Sequence, residues 1–221
     1  RISGYSAILE MHELTNHFDE RGDDYIAFMD SLQEKVFCRN RLLVSVSATH
    51  PVSLHTLLSA LPEGTAVPDK ASFTAELPES MGCPVPAKSG FSAQGIMFDR
   101  EFDGSMRVAS NIISLGYLWN VVRVQGGAYG TGVVARKNGG ITSYSYRDPH
   151  PAASLEANKH IAEFLQQFCE SDESLDGFII STLAEDEPLR TPREQGAYGD
   201  RIWFAGYTRE ELKAEREETL R

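Results

Sequence analysis

The run Trp119-Asn120-Val121-Val122-Arg123-Val124-Gln125-Gly126-Gly127-Ala128-Tyr129-Gly130-Thr131-Gly132 holds the residues with the clearest chemical capability in the chain. Arg123 offers a planar fork of N–H donors and Tyr129 a phenolic O–H. Facing one cleft, the pair suits an oxyanion or a peptide carbonyl, because both donors can share one developing charge. Gly126 and Gly127 lack a Cβ and let a peptide backbone approach closely; with Ala128 and Gly130 they form the candidate substrate-binding stretch. The same residues also read as a glycine helix end with a packed tyrosine and an arginine in a surface ion pair, and spacing alone leaves both readings open.

A metal site is the next chemistry to test. His12-Glu13-Leu14-Thr15-Asn16-His17 looks at first like a metallopeptidase helix, but its histidines are five apart. At 3.6 residues per turn that separation puts them about 140° out of line, and Asn16 occupies the place a second ligand needs. His50, His55, His150 and His160 have no second ligand at a useful spacing, and Asp148-Pro149-His150-Pro151 reads as a rigid turn. No metal is expected to bind to this chain. Nucleophile elbows, phosphate loops and dinucleotide fingerprints are absent, and no cysteine has a histidine beside it in sequence. Gln195-Gly196-Ala197-Tyr198-Gly199 repeats most of the candidate motif, but Pro192 stands where the arginine would be, six residues before Tyr198. It also follows a helix start, so it reads as ordinary helix.

The elements that must position Arg123 and Tyr129 lie in the second half of the chain. Phe91–Phe98 reads as a strand, and after Gly104 comes a helix whose Val108, Ala109, Ile112, Ile113, Leu115, Leu118 and Trp119 are apolar nearly all round, as in a central buried helix. Tyr129–Ala135 and Ile141–Tyr146 read as strands of a hairpin, turned by Asn138-Gly139-Gly140. Ala153–Phe168 is an amphipathic helix with Ile161, Phe164, Leu165 and Phe168 on one stripe, and another helix spans Leu175–Ala184. Thr191-Pro192-Arg193-Glu194 and Thr208 with Glu211 are capping boxes that start two more.

Upstream, Tyr5–Phe37 is helical, with a break expected at Arg21-Gly22-Asp23-Asp24. Arg41–Ala48 reads as a strand, Pro51–Leu61 as a short helix, and 62–90, with five prolines, as a connector. The expected organisation is a helical segment over 1–38, continuing from a preceding domain, then one domain over 39–221. Hairpins grouped with helices give an α+β class, a largely antiparallel sheet covered by helices. The helical run from Glu210 to Arg221 ends without a glycine stop, as though the chain were part of something longer.

Composition sets the outer limits. The chain has 221 residues, 41% hydrophobic and 24% charged, which excludes disordered tails and disulfide-stapled miniproteins. A net charge of −11 repels phosphate backbones, so nucleic acid is not an expected partner. Glu170–Glu187 contains seven acids and no lysine or arginine, a solvated face or a surface for cationic peptides. No stretch reaches the ~18 uninterrupted apolar residues of a membrane span, and the start has no signal-peptide layout, so no membrane partner is expected. Three scattered cysteines with no Cys-x-x-Cys fit a reducing compartment.

Arg123-Val124-Gln125-Gly126-Gly127-Ala128-Tyr129-Gly130 and Tyr144-Ser145-Tyr146-Arg147-Asp148-Pro149 together resemble the C-terminal half of the pitrilysin/insulinase family of zinc metallopeptidases, nearest its presequence protease and falcilysin branch. The resemblance implies a LuxS/MPP-like metallopeptidase domain, one of four in a long chain that closes as a clamshell around short unstructured peptides. It implies that zinc sits in the missing N-terminal half, on an inverted H-x-x-E-H motif that these 221 residues lack. Arg123 and Tyr129 match the arginine and tyrosine that this half gives to substrate and transition-state binding. The implied partners are the remaining N-terminal domains of the same chain and a peptide substrate. The isolated piece is expected to be inactive, and its apolar faces could pair it as a homodimer. The alternative is a non-catalytic structural or partner subunit of the same fold.

Overall fold

The computed structural model describes residues 5–64 and 79–220. The chain divides into two compact units, Arg1–Pro84 and Val85–Arg221.

In the first unit, α1 (Tyr5–Asn16) and α2 (Phe18–Val36) meet at His17, whose carbonyl accepts the N–H of both Glu20 and Arg21. The break therefore lies at His17, not at Arg21–Asp24 as the sequence predicts. Gly22 is buried inside α2 with the Phe18 ring closed over it, so the roughly 1 kcal/mol that a glycine costs a helix interior does not end the helix. The strand expected over 41–48 is also absent. A 3₁₀ turn, Arg39–Arg41, leads into irregular chain, because among the described residues no strand offers this segment a ladder partner. The helix expected over Pro51–Leu61 shortens to α3 (His55–Ala60). Of the proline-rich stretch, 65–78 lie outside the described residues, and 79–89 carry neither helix nor strand.

The second unit holds the antiparallel sheet. Its strands β1 (Gly90–Met97), β2 (Gly130–Ala135) and β3 (Gly140–Asp148) run in the order β1-β3-β2, every pair antiparallel. The β2–β3 turn is the expected one, with Gly139 at φ +80°. Between β1 and β2 the chain forms α4 (Gly104–Asn111) and, without a break, a π-helix over Ile112–Gln125. Downstream come α5 (Pro151–Asn158), α6 (Ile161–Glu170), α7 (Asp176–Asp186), α8 (Pro192–Ala205) and α9 (Arg209–Thr219). This is the expected α+β arrangement.

The core forms where the π-helix crosses the sheet: Ile113, Leu118, Val122, Ala128, Val133 and Ala157 are buried together. Leu118 is fully buried, whereas Leu115 and Trp119 are 46% and 41% exposed, so the helix is not apolar-packed all round as its composition predicts. Tyr117 ties it to its neighbours, donating its hydroxyl to Ala157 O at 3.0 Å and stacking on Phe164 at 5.1 Å. The single helix expected over 153–168 is two. Lys159 and His160 donate to Glu156 O and Ala157 O, three residues back, a tight turn that ends α5 before α6 begins.

Both capping boxes form as read, Thr191 with Glu194 on α8 and Thr208 with Glu211 on α9. Helix α9 then packs on α4. Gly104 leaves no room for a side chain beside Glu215 O and Thr219, and its N–H donates to Glu218. Glu215 lies between Arg107 of α4, at 3.3 Å, and Lys137 of the β2–β3 turn, at 2.5 Å.

Candidate functional site

The candidate stretch begins where the π-helix ends. Gly126 N–H donates to Val121 O, five residues back, Gly127 N–H to Arg123 O and Ala128 N–H to Val122 O. Gly127 takes φ +77°, a left-handed conformation that favours glycine, and a Cβ on Gly126 would run into Val122 O. The glycine pair is thus required by the helix end itself. Ala128 and Gly130 are buried beside it, and Gly127 is exposed.

Arg123 projects from the last turn of the π-helix, half-buried, with its guanidinium 3.8 Å from the centre of the Trp119 ring. Among the described residues no carboxylate pairs with it, so the surface ion pair left open by the sequence does not form. Tyr129 is 59% exposed at the start of β2, and among the described residues its hydroxyl has no hydrogen-bond partner. Arg123 precedes the glycine pair and Tyr129 follows it, each with an aromatic neighbour of its own, Trp119 and Tyr146. A groove of about 580 Å³ lined by Val108, Ile112, Leu165 and Phe168 includes neither residue.

The β2–β3 register builds the surroundings of Tyr129. Gly130 pairs with Tyr146 and Gly132 with Tyr144, so each glycine clears space for the ring opposite it. Tyr146 meets Tyr129 edge-on at 5.5 Å and stacks with Tyr144 at 6.3 Å. Arg147 O accepts the Tyr129 N–H at 3.3 Å, and the Arg147 guanidinium lies 5.4 Å from the Tyr129 ring centre. Beside it Asp148 is fully buried, accepting from Ser145 Oγ and Ser154 Oγ at 2.6 Å and from the His150 N–H at 2.7 Å. Burial pushes the Asp148 carboxyl up, but these hydrogen bonds outweigh it and hold the group below the usual carboxylate range.

Sequence reasoning missed Trp119, Tyr146, Arg147 and Asp148 as members of this neighbourhood. The hairpin turn carried the signal. Once Asn138-Gly139-Gly140 fixes the register, Gly130 falls opposite Tyr146 and Tyr129 beside Arg147.

The histidines do not assemble a site. His12 is bonded to Asn16 at 2.9 Å, and His17 sits exposed between Glu13 and Glu20 at the junction of α1 and α2. Among the described residues no group of three or more His, Cys, Asp or Glu is arranged to hold a metal. Tyr198 of the repeated motif lies within α8, as expected, with Arg190 and Arg201 over its ring.

Comparison with known proteins bears directly on this segment. The model of the PreP C-terminal domain matches residues 84–221. The chain belongs to that family. Presequence protease 1 of Arabidopsis thaliana, chloroplastic/mitochondrial, is 27% identical over 231 residues, covering 100% of this chain and 21% of its own length. The mitochondrial presequence protease of Saccharomyces cerevisiae is 23% identical over 96% of the chain and 23% of its own length. Protein HypA of Clostridium perfringens is 35% identical over 54% of the chain and 12% of its own length. This PreP C-terminal domain chain therefore spans less than a quarter of these relatives. Among its described residues no helix is long and apolar enough to cross a membrane.

Proposed function

We propose that this chain is the substrate-binding C-terminal portion of a zinc oligopeptidase that degrades short unstructured peptides in a mitochondrial matrix or bacterial cytoplasm. The observation that carries the reading is the exposed Tyr129 after the glycine pair and, before it, an Arg123 guanidinium that stacks on Trp119 and pairs with no carboxylate among the described residues, at the helix end that the family match covers. Arg123 and Tyr129 bind the peptide through carbonyl oxygens and hold the charge that develops on one of them during cleavage. Both side chains rest on a neighbour, Arg123 on the Trp119 face and Tyr129 on the edge-on Tyr146 ring, so little reorganisation is needed when charge develops.

The zinc of such an enzyme supplies water activation and carbonyl polarisation. The described residues of this chain do not fit it, so its ligands are assigned to the N-terminal part of the enzyme.

The test uses the full-length protein. Arg123→Ala and Tyr129→Phe should each lower turnover about 10²-fold, the usual cost of one lost oxyanion donor, with unchanged folding and zinc content. Wild-type turnover in both variants overturns this reading and leaves a non-catalytic subunit of the same fold.

A further inference from the structure

Among the described residues Arg147, at φ +48°, is the non-glycine residue with a left-handed backbone. An L side chain disfavours that conformation, which persists where the surroundings over-determine it, often at binding sites. The neighbouring residue does so here. Asp148, without solvent exposure, is held by Ser145, Ser154 and the His150 N–H, which fixes the peptide unit it shares with Arg147. The Arg147 carbonyl is engaged by the Tyr129 N–H. Its guanidinium is exposed beside the Tyr129 ring and, among the described residues, has no carboxylate partner, although the chain carries 32 acids against 21 lysines and arginines. Arg147 is the extra residue of a bulge in β3, where Gly90 pairs with Asp148 and Phe91 with Tyr146, and a fork of donors on that constrained bulge matches a carboxylate in two parallel hydrogen bonds.

We propose that Arg147 is a further substrate-binding residue, a receptor for a peptide carboxylate held beside Tyr129 by the buried Asp148 anchor. The inference rests on the reading that Tyr129 faces the substrate. The carboxylate belongs either to an acidic side chain or to the peptide C-terminus, and both present the same pair of oxygens. Asp148 is a positioning residue that acts through Arg147.

The experiment compares matched peptides on the full-length enzyme: one neutral and amidated, one amidated with a single glutamate, one neutral with a free C-terminal carboxylate. Arg147→Asn removes the cation while tolerating the left-handed backbone, and Arg147→Lys keeps the charge without the fork. Arg147→Asn should raise KM about tenfold for a carboxylate-bearing peptide and not for the neutral one, with partial recovery in Arg147→Lys. Whichever charged peptide responds identifies the source of the carboxylate. An equal change for all the peptides, or no change for any, overturns the proposal. Tyr129→Phe separates the two readings, since it should slow every peptide alike. Wild-type turnover in both Arg123→Ala and Tyr129→Phe sinks the site as a whole, whereas a slow Tyr129→Phe with a charge-blind Arg147→Asn sinks only the role of Arg147.

Discussion

The Arg123 guanidinium lies 3.8 Å from the centre of the Trp119 ring, both residues belonging to the π-helix. An aromatic face supports the cation without consuming its N–H donors, as a carboxylate would, so the fork stays available. An exposed contact of this kind is worth about 0.5–1 kcal/mol. Trp119→Ala in the full-length enzyme should therefore lower kcat/KM roughly two- to fivefold by loosening Arg123, and Trp119→Phe should recover most of it. An unchanged kcat/KM in Trp119→Ala would show that the stack does not preorganise the arginine.

Asp148 makes stability depend on acid. Its folded-state carboxyl lies below its unfolded value, so its contribution is complete above about pH 4 and is lost as pH falls through the folded value. Removing the Ser145 and Ser154 hydroxyls together should reduce stability at neutral pH and flatten this acid limb. Asp148→Ala, which removes the shared acceptor of Ser145 Oγ, Ser154 Oγ and the His150 N–H, should cost about 3 kcal/mol at pH 7. Urea denaturation of the chain between pH 3 and 7 measures both effects.

The glycines of β2 should not be equivalent. A side chain at Gly130 would enter the Tyr146 ring, whereas at Gly132 it comes no closer than 3.1 Å to the Tyr144 hydroxyl and 3.3 Å to Ser114 Oγ. Gly130→Ala should cost about 1–3 kcal/mol and disturb the edge-on Tyr129–Tyr146 pair, with Gly132→Ala costing less. Paired denaturation curves and the near-ultraviolet dichroism of the tyrosines would reveal the order; equal costs would contradict the register argument.

Each capping threonine should be worth about 1 kcal/mol, measured as Thr191→Ala and Thr208→Ala. Thr208→Ala should also speed hydrogen exchange in the first turn of α9 while leaving β3 protected, and uniform protection in α9 would argue against the cap.

Signals confined to a few neighbouring residues were legible in the sequence. The Asn138-Gly139-Gly140 turn, the two Thr-x-x-Glu boxes and the stripe of α6 need only local chemistry, and all are present. Readings that depend on a distant partner failed. Arg41–Ala48 has strand-like residues but no strand beside it among the described residues. The site divides along the same line. Gly126 and Gly127 announce the helix end, whereas Arg147 joins Tyr129 across the strands, through a backbone hydrogen bond and a guanidinium over the ring.

Glu215 gives the C-terminal helix a reach beyond its own length. One carboxylate grips α4 through Arg107 and the tip of the hairpin through Lys137, and the other end of that hairpin carries Tyr129 and Arg147. The terminal helix thus works as a clasp on a lever. Trimming the chain ahead of Glu215 would unlatch the ribbon tip and loosen its far end, so a cut remote from Tyr129 and Arg147 would disturb their placement without altering either residue.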